Sequence, residues 1–145
     1  MIEGVFVEKL KVMEDNRGKV MRMLRKDSPL FSAFGEIYFS TINFSIIKAW
    51  KKHLRMTQCF AVPVGRIKLV IFDDRDKSST KGEILEIELG ENNYSLVKIP
   101  PLVWYGFQGL SNTPALITNC ADIPHDPDES IKLEHSDSKI PYIWK

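Results

Sequence analysis

The densest set of side chains able to do chemistry is the run Lys48-Ala49-Trp50-Lys51-Lys52-His53-Leu54-Arg55-Met56-Thr57-Gln58. Alternate residues of an extended strand share a face, so Lys51 and His53 are expected to point the same way, with Lys48 or Arg55 nearby on a bend. Imidazole titrates near neutrality and moves protons readily, while clustered cations attract an anion such as a diphosphate. The run therefore reads either as a solvated basic turn or as a mouth that receives an anionic ligand beside a proton-transfer group. Trp50 as a stacking surface, and an apolar strand that opens into four closely spaced cations, favour the mouth.

Two further stretches carry polar groups. Lys98-Ile99-Pro100-Pro101-Leu102-Val103-Trp104-Tyr105-Gly106-Phe107 reads as a tight turn joining core strands, and Tyr105 beside Gly106 is placed to present a hydroxyl to a cavity. In Ala121-Asp122-Ile123-Pro124-His125-Asp126-Pro127-Asp128-Glu129, four acids near one histidine suggest a metal. A Pro-rich loop lacks the rigidity a metal cage wants, so it reads as solvated loop.

The elements that must position these groups are short β-type runs between turn residues. Gly4 to Val12 leads through Asp15-Asn16-Arg17-Gly18 back into Lys19 to Leu24 as a hairpin. Glu36 to Ile42, Phe44 to Trp50, Gln58 to Val64, Arg66 to Phe72, Ile84 to Leu89, Tyr94 to Ile99, Val103 to Leu110 and Ala115 to Cys120 follow. Roughly ten strands without helical crossovers imply an all-β, antiparallel sandwich, barrel or jelly roll, because parallel pairs need long connections. We read residues 1–145 as one domain with an irregular tail at about 124–145, whose Ile140-Pro141-Tyr142-Ile143-Trp144 is apolar enough to dock.

Composition excludes several classes. With 43% hydrophobic and 27% charged residues and a net charge of +1, the chain has no basic footprint for nucleic acid. No apolar run approaches the about eighteen residues that a membrane span requires. Acids inside the apolar N-terminal stretch and the lack of a small-residue cleavage site point to a cytoplasmic protein. Cys59 and Cys120 are too few for a disulfide framework and read as reduced core residues. Phosphate-cradling glycine loops, a nucleophile elbow and Cys-x-x-Cys are all missing.

Ile46 through Gly65 into Phe72-Asp73-Asp74-Arg75, then Leu89-Gly90-Glu91-Asn92, Val97-Lys98-Ile99-Pro100-Pro101, Trp104-Tyr105-Gly106-Phe107 and Asp137-x-x-Ile140-x-x-x-Trp144 run in the order of a known family. Together they resemble the dTDP-4-dehydrorhamnose 3,5-epimerase family over most of the chain. Lys48 to Asp74 is also similar to the sugar 3,4-ketoisomerase cupins. The resemblance implies a cupin-like antiparallel β-barrel or jelly roll acting on a nucleotide-linked 4-keto sugar. Where cupins keep two histidines and a glutamate as metal ligands, this chain has Lys51, His53 and Thr57, so neither a catalytic metal nor another cofactor is expected.

By the same resemblance, Lys51 stands where the family has its catalytic histidine, and Gln58 where it has a lysine near the enolate. Ala121-Asp122-Ile123-Pro124 replaces a Thr-Asp-Tyr-Tyr stretch carrying the proton donor. His53 is then the expected base, with Lys51 as oxyanion partner or as base if Lys48 and Lys52 depress its pKa. Asp137 matches the acid that orients the family histidine and is expected to pair with Lys51 or His53. Lys48 matches a diphosphate-binding arginine, Tyr38 and Tyr105 are candidate donors, and Trp50 and Trp104 candidate substrate contacts. The expected activity is metal-free epimerisation or isomerisation of a 4-keto-hexose nucleotide, most simply dTDP-linked, for surface polysaccharide, by a homodimer. The alternative is a catalytically degenerate cupin that binds sugar nucleotides or regulates a partner.

Overall fold

The computed structural model describes residues 1–145. Its strands are β1 (Phe6–Lys9), β2 (Val12–Asp15), β3 (Gly18–Met21), β4 (Glu36–Ile42), β5 (Ile47–His53), β6 (Gln58–Val64) and β7 (Arg66–Phe72), followed by β8 (Ile84–Gly90), β9 (Ser95–Ile99), β10 (Trp104–Gly109), β11 (Ala115–Ala121) and β12 (Ser130–Lys132). One five-stranded sheet runs β1-β9-β6-β11-β4, a second runs β12-β5-β10-β7-β8, and β2-β3 form a separate hairpin. All the named strand pairs are antiparallel, the jelly-roll class expected from the turn-punctuated sequence.

The two sheets face each other across one core. Phe60, Val62, Val97, Ile99 and Ile117 from the first sheet meet Ile67, Leu69, Ile71, Leu89 and Phe107 from the second. Alternation along β7 puts Ile67, Leu69 and Ile71 inward and leaves Val70 and Phe72 on the outer face. That outer face is not solvated. Val70 and Phe72 lie under a cluster with Trp50, Trp104 and Ile140, so β7 is buried on both sides, which is why its sequence is nearly continuous apolar.

The cover is the tail. Instead of being irregular throughout, it makes a single 3₁₀ turn at Pro127–Glu129 and then β12, which adds to the edge of the second sheet beside β5. Tyr142 and Trp144 then pack on Trp50, with ring centroids 6.0 and 5.1 Å away. The N-terminal region also differs from the single long strand expected. β1 pairs with β9, the chain leaves that sheet at Leu10, and the hairpin is instead Val12–Asp15 with Gly18–Met21. Leu10, Met23, Leu24 and Leu30 cover Cys59, Leu96 and Cys120 on the outer face of the first sheet, and both cysteines are free.

One irregularity shapes the site. Along β10 and β5, Tyr105 opposes Lys51 but Gly106 opposes Ala49, so Trp50 is an extra residue, a β-bulge. Gly106 sits in the tightest part of this crossing: a Cβ there would lie 2.4 Å from the Ala49 Cβ and 3.1 Å from Trp144 Cζ2. Gly106→Ala must therefore push β5 and β10 apart, and we expect it to cost about 1–3 kcal/mol, read as a lower urea midpoint.

Candidate active site

The bulge decides which side chains of β5 face inward. Lys48 pairs with Phe107 and Lys51 with Tyr105, both core-facing, so two lysines three residues apart share the inner face. In a regular strand that odd spacing would put them on opposite faces. Trp50 turns outward, and Lys52 beyond it lies over the Trp104 ring at 4.7 Å and pairs with Asp74 at 2.7 Å.

Between the sheets opens a cavity of about 310 Å³, the size of a small ligand site. Lys48, Lys51, Tyr105 and Phe107 form one wall with Lys132 from β12, and Tyr38, Ser40, Phe60, Ile117 and Asn119 form the other. Phe60 meets Tyr105 edge-on at 5.6 Å, so the cavity floor is apolar where its rim is cationic. Lys48 Nζ donates to the Thr41 carbonyl at 2.7 Å, tying the rim to β4.

Lys51 is partly buried and has no carboxylate partner, unlike Lys52. Burial, and then the charge of Lys132 directly across the strand pair, hold its amine below the ordinary lysine range, while Glu129 acts weakly the other way. The depressing neighbour is thus Lys132, not the expected Lys48 and Lys52. Lys52 is engaged outside the cavity.

His53 is 4% exposed and does not line the cavity; it lies behind Tyr105, the two rings stacked at 6.0 Å. Its Nδ1 meets Oε1 of Glu129, a carboxylate only 2% exposed whose other oxygen accepts from the Arg55 and Met56 backbone N–H groups, each at 3.1 Å. Burial would raise Glu129, but the hydrogen bonds from His53, Arg55 and Met56 outweigh it and hold the carboxyl below its usual value. Burial also lowers His53, against the pull of Glu129. The neutral ring donates its Nδ1–H to the Glu129 carboxylate and turns the Nε2 lone pair to the Tyr105 hydroxyl, 3.4 Å away. Gln58 Nε2 donates to the same hydroxyl at 3.1 Å, and burial pushes the Tyr105 phenol well up.

Several expected contacts are corrected by this geometry. Asp137 pairs with neither Lys51 nor His53, because its carboxylate caps its own turn by accepting from the Lys139 N–H at 2.9 Å; Glu129 takes the place beside the histidine. Trp50 does line the cavity, as expected of a substrate contact, but its indole is no open stacking surface, being packed against Tyr142 and Trp144 with Nε1 donating to the His135 carbonyl at 3.2 Å. Trp104 faces outward and donates to Asp74 at 2.9 Å. Gln58 is buried and touches the cavity only through Tyr105. Arg55 reaches out to Asp126 at 2.9 Å. Glu129, Lys132 and Asn119 were not singled out by sequence reasoning. Only Glu129 carried a signal, as one acid of the tail loop.

The model of the dTDP-4-dehydrorhamnose 3,5-epimerase family matches residues 1–145. The chain belongs to this family. A solved dTDP sugar isomerase from Desulfovibrio desulfuricans is 49% identical, with a TM-score of 0.96 over 99% of this chain and 92% of that one. A probable low-salt glycan biosynthesis epimerase of Haloferax volcanii is 35% identical over 97% of this chain and 88% of its own. The spore coat polysaccharide biosynthesis protein SpsL of Bacillus subtilis is 34% identical over 99% and 97%. The two-sheet architecture described above is the cupin-type jelly roll of the epimerase family.

Removing the buried carboxylate tests how the site is held. Glu129→Ala leaves His53 and two backbone N–H groups unpaired in the interior, and we expect a loss of about 3–5 kcal/mol in urea unfolding.

Proposed function

We propose that this chain is an epimerase or isomerase of a dTDP-linked 4-keto-hexose serving surface polysaccharide biosynthesis, working by metal-free proton abstraction beside the ketone. The observation that carries this reading is Lys51: an amine held below its ordinary pKa, without a carboxylate, on the wall of a cavity with an apolar floor. A ketone acidifies the neighbouring carbon, and the enzyme then needs one base and a donor at the oxygen. Lys51 as the neutral amine takes the proton. The Tyr105 hydroxyl turns from His53 to the ketone oxygen and receives the developing charge, with Gln58 and the Glu129–His53 pair holding it in place. Lys48 and Lys132 at the rim suit a diphosphate.

In this scheme the catalytic set is an altered one, with Lys51 in the role of the family histidine and His53 a positioning residue. A silent binding protein would have no need of an unpaired lysine beside a buried Glu-His-Tyr relay, and burying such groups is costly. Homodimerisation and a cytoplasmic address belong to the same reading. The edge strand β4 turns Ile37 and Phe39 outward, 51% and 66% exposed, and Phe34 beside it is 64% exposed, a patch that a second copy would cover. No helix is long and apolar enough to cross a membrane.

Incubated with dTDP-4-keto-6-deoxyglucose in deuterated water, the protein should place solvent deuterium beside the ketone, followed by NMR or mass spectrometry. Lys51→Ala should lower that rate by about 10²–10⁴-fold; a wild-type protein that binds the nucleotide sugar without exchange would overturn the reading.

Because the working form of Lys51 is the neutral amine, kcat/KM should rise with pH through a pKa below the ordinary lysine range. Lys132→Gln removes a like charge that disfavours the ammonium, so it raises that pKa and moves the rise to higher pH in the pH–rate profile.

A further inference from the structure

Epimerisation requires that the proton return on the face opposite the one it left, so a base on one wall needs an acid on the other. The tyrosine stretch in which the family resemblance places that acid reads Ala121-Asp122-Ile123-Pro124 here. We infer that Tyr38 is the acid, positioned by Asn119; the inference rests on the epimerase reading and names the donor for that same cavity.

Lys51 and Tyr105 belong to β5 and β10, in one sheet, whereas Tyr38 and Asn119 belong to β4 and β11, in the other, and all four line the cavity between them. A sugar ring lying between the sheets thus has Lys51 on one side and Tyr38 on the other. Asn119 stands directly across the β4–β11 ladder from Tyr38, and its Nδ2 donates to the Tyr38 hydroxyl oxygen at 2.7 Å. The oxygen is the acceptor in that bond, so its own hydrogen is directed elsewhere. The Tyr105 hydroxyl, by contrast, already faces the His53 lone pair. Asn119 is 2% exposed, and its Oδ1 has no hydrogen-bond partner. An empty buried acceptor is costly, and such costs concentrate where a site needs a fixed orientation.

The step balances without any redox partner. Lys51 takes the carbon-bound proton and becomes an ammonium, and the C–H electron pair moves to the ketone oxygen as an enolate. The enolate carbon then takes the Tyr38 proton on the opposite face and the carbonyl re-forms. This leaves a phenolate on Tyr38, which the Asn119 N–H stabilises until solvent returns a proton and removes the one on Lys51.

Deprotonation and inversion become separable. With dTDP-4-keto-6-deoxyglucose in deuterated water, Tyr38→Phe should still place deuterium in recovered substrate of unchanged configuration, within a few-fold of the wild-type rate. Its epimer formation should fall by about 10²–10⁴-fold. Asn119→Leu should lower kcat for epimer formation by on the order of ten-fold while exchange and KM stay near wild type, a split that a merely structural role would not give. Lys51→Ala loses exchange and inversion together. Epimer formed by Tyr38→Phe at the wild-type rate, or exchange and inversion lost together in a Tyr38→Phe protein whose circular dichroism is native, overturns the assignment of Tyr38. Absence of exchange in the wild-type protein overturns the epimerase reading instead, and with it the assignment.

Discussion

Much of this molecule follows from one extra residue on one strand. The bulge at Trp50 changes the parity of β5, so that Lys48 and Lys51 both enter the space between the sheets while the indole leaves it. Turned outward, Trp50 becomes the surface on which Tyr142 and Trp144 rest, and its backbone exchanges hydrogen bonds with Leu133 at 2.8 and 3.1 Å. That docking carries β12 alongside β5. From there Glu129 reaches His53 and Lys132 reaches the cavity rim. The same displacement therefore builds the inner wall and recruits the segment that completes it.

The electrostatics of the cavity grow out of this arrangement. A lysine on a solvated strand would be an ammonium at any physiological pH. Lys51 differs because it is partly withdrawn from water and stands across from a second lysine, and both effects disfavour the charged form. His53 takes a different role for the same kind of reason. Burial keeps the ring neutral, and the carboxylate behind it fixes which nitrogen carries the hydrogen, so it can orient a tyrosine but cannot itself reach a ligand. Two basic residues of one strand thus separate into a group that faces the cavity and a group that holds its neighbour.

The strand framework was legible in the chain because period-two patterning and turn residues are local signals. Gln58–Val64 and Arg66–Phe72 begin and end where the apolar runs do, and Gly65, at φ +77°, makes the connection that a side chain would strain. The apolar run Leu69–Phe72 within β7 fits burial on both faces, but nothing local says what covers the outer one. Misreadings arose where a residue's meaning depended on a remote partner. Gly4 to Val12 looked like one strand because nothing local marks the point at which it stops pairing with β9.

The site divides along the same line. The sequence by itself determined the fold class, the family and the cluster Lys48, Lys51 and His53, since these rest on residue types and their order along the chain. Tertiary structure alone decided that Lys51 meets the cavity and His53 does not, that Glu129 and not Asp137 supports the histidine, and that Tyr38 and Asn119 stand opposite the lysine. The physical reason is that a bulge reverses which way every later side chain on its strand faces, which brings Lys48 and Lys51 to one face, while Tyr105 stands between His53 and the cavity; no residue-type signal marks either. A buried acid and a facing wall, likewise, are set by which strands become neighbours in space, between positions as far apart as His53 and Glu129, 76 residues along the chain.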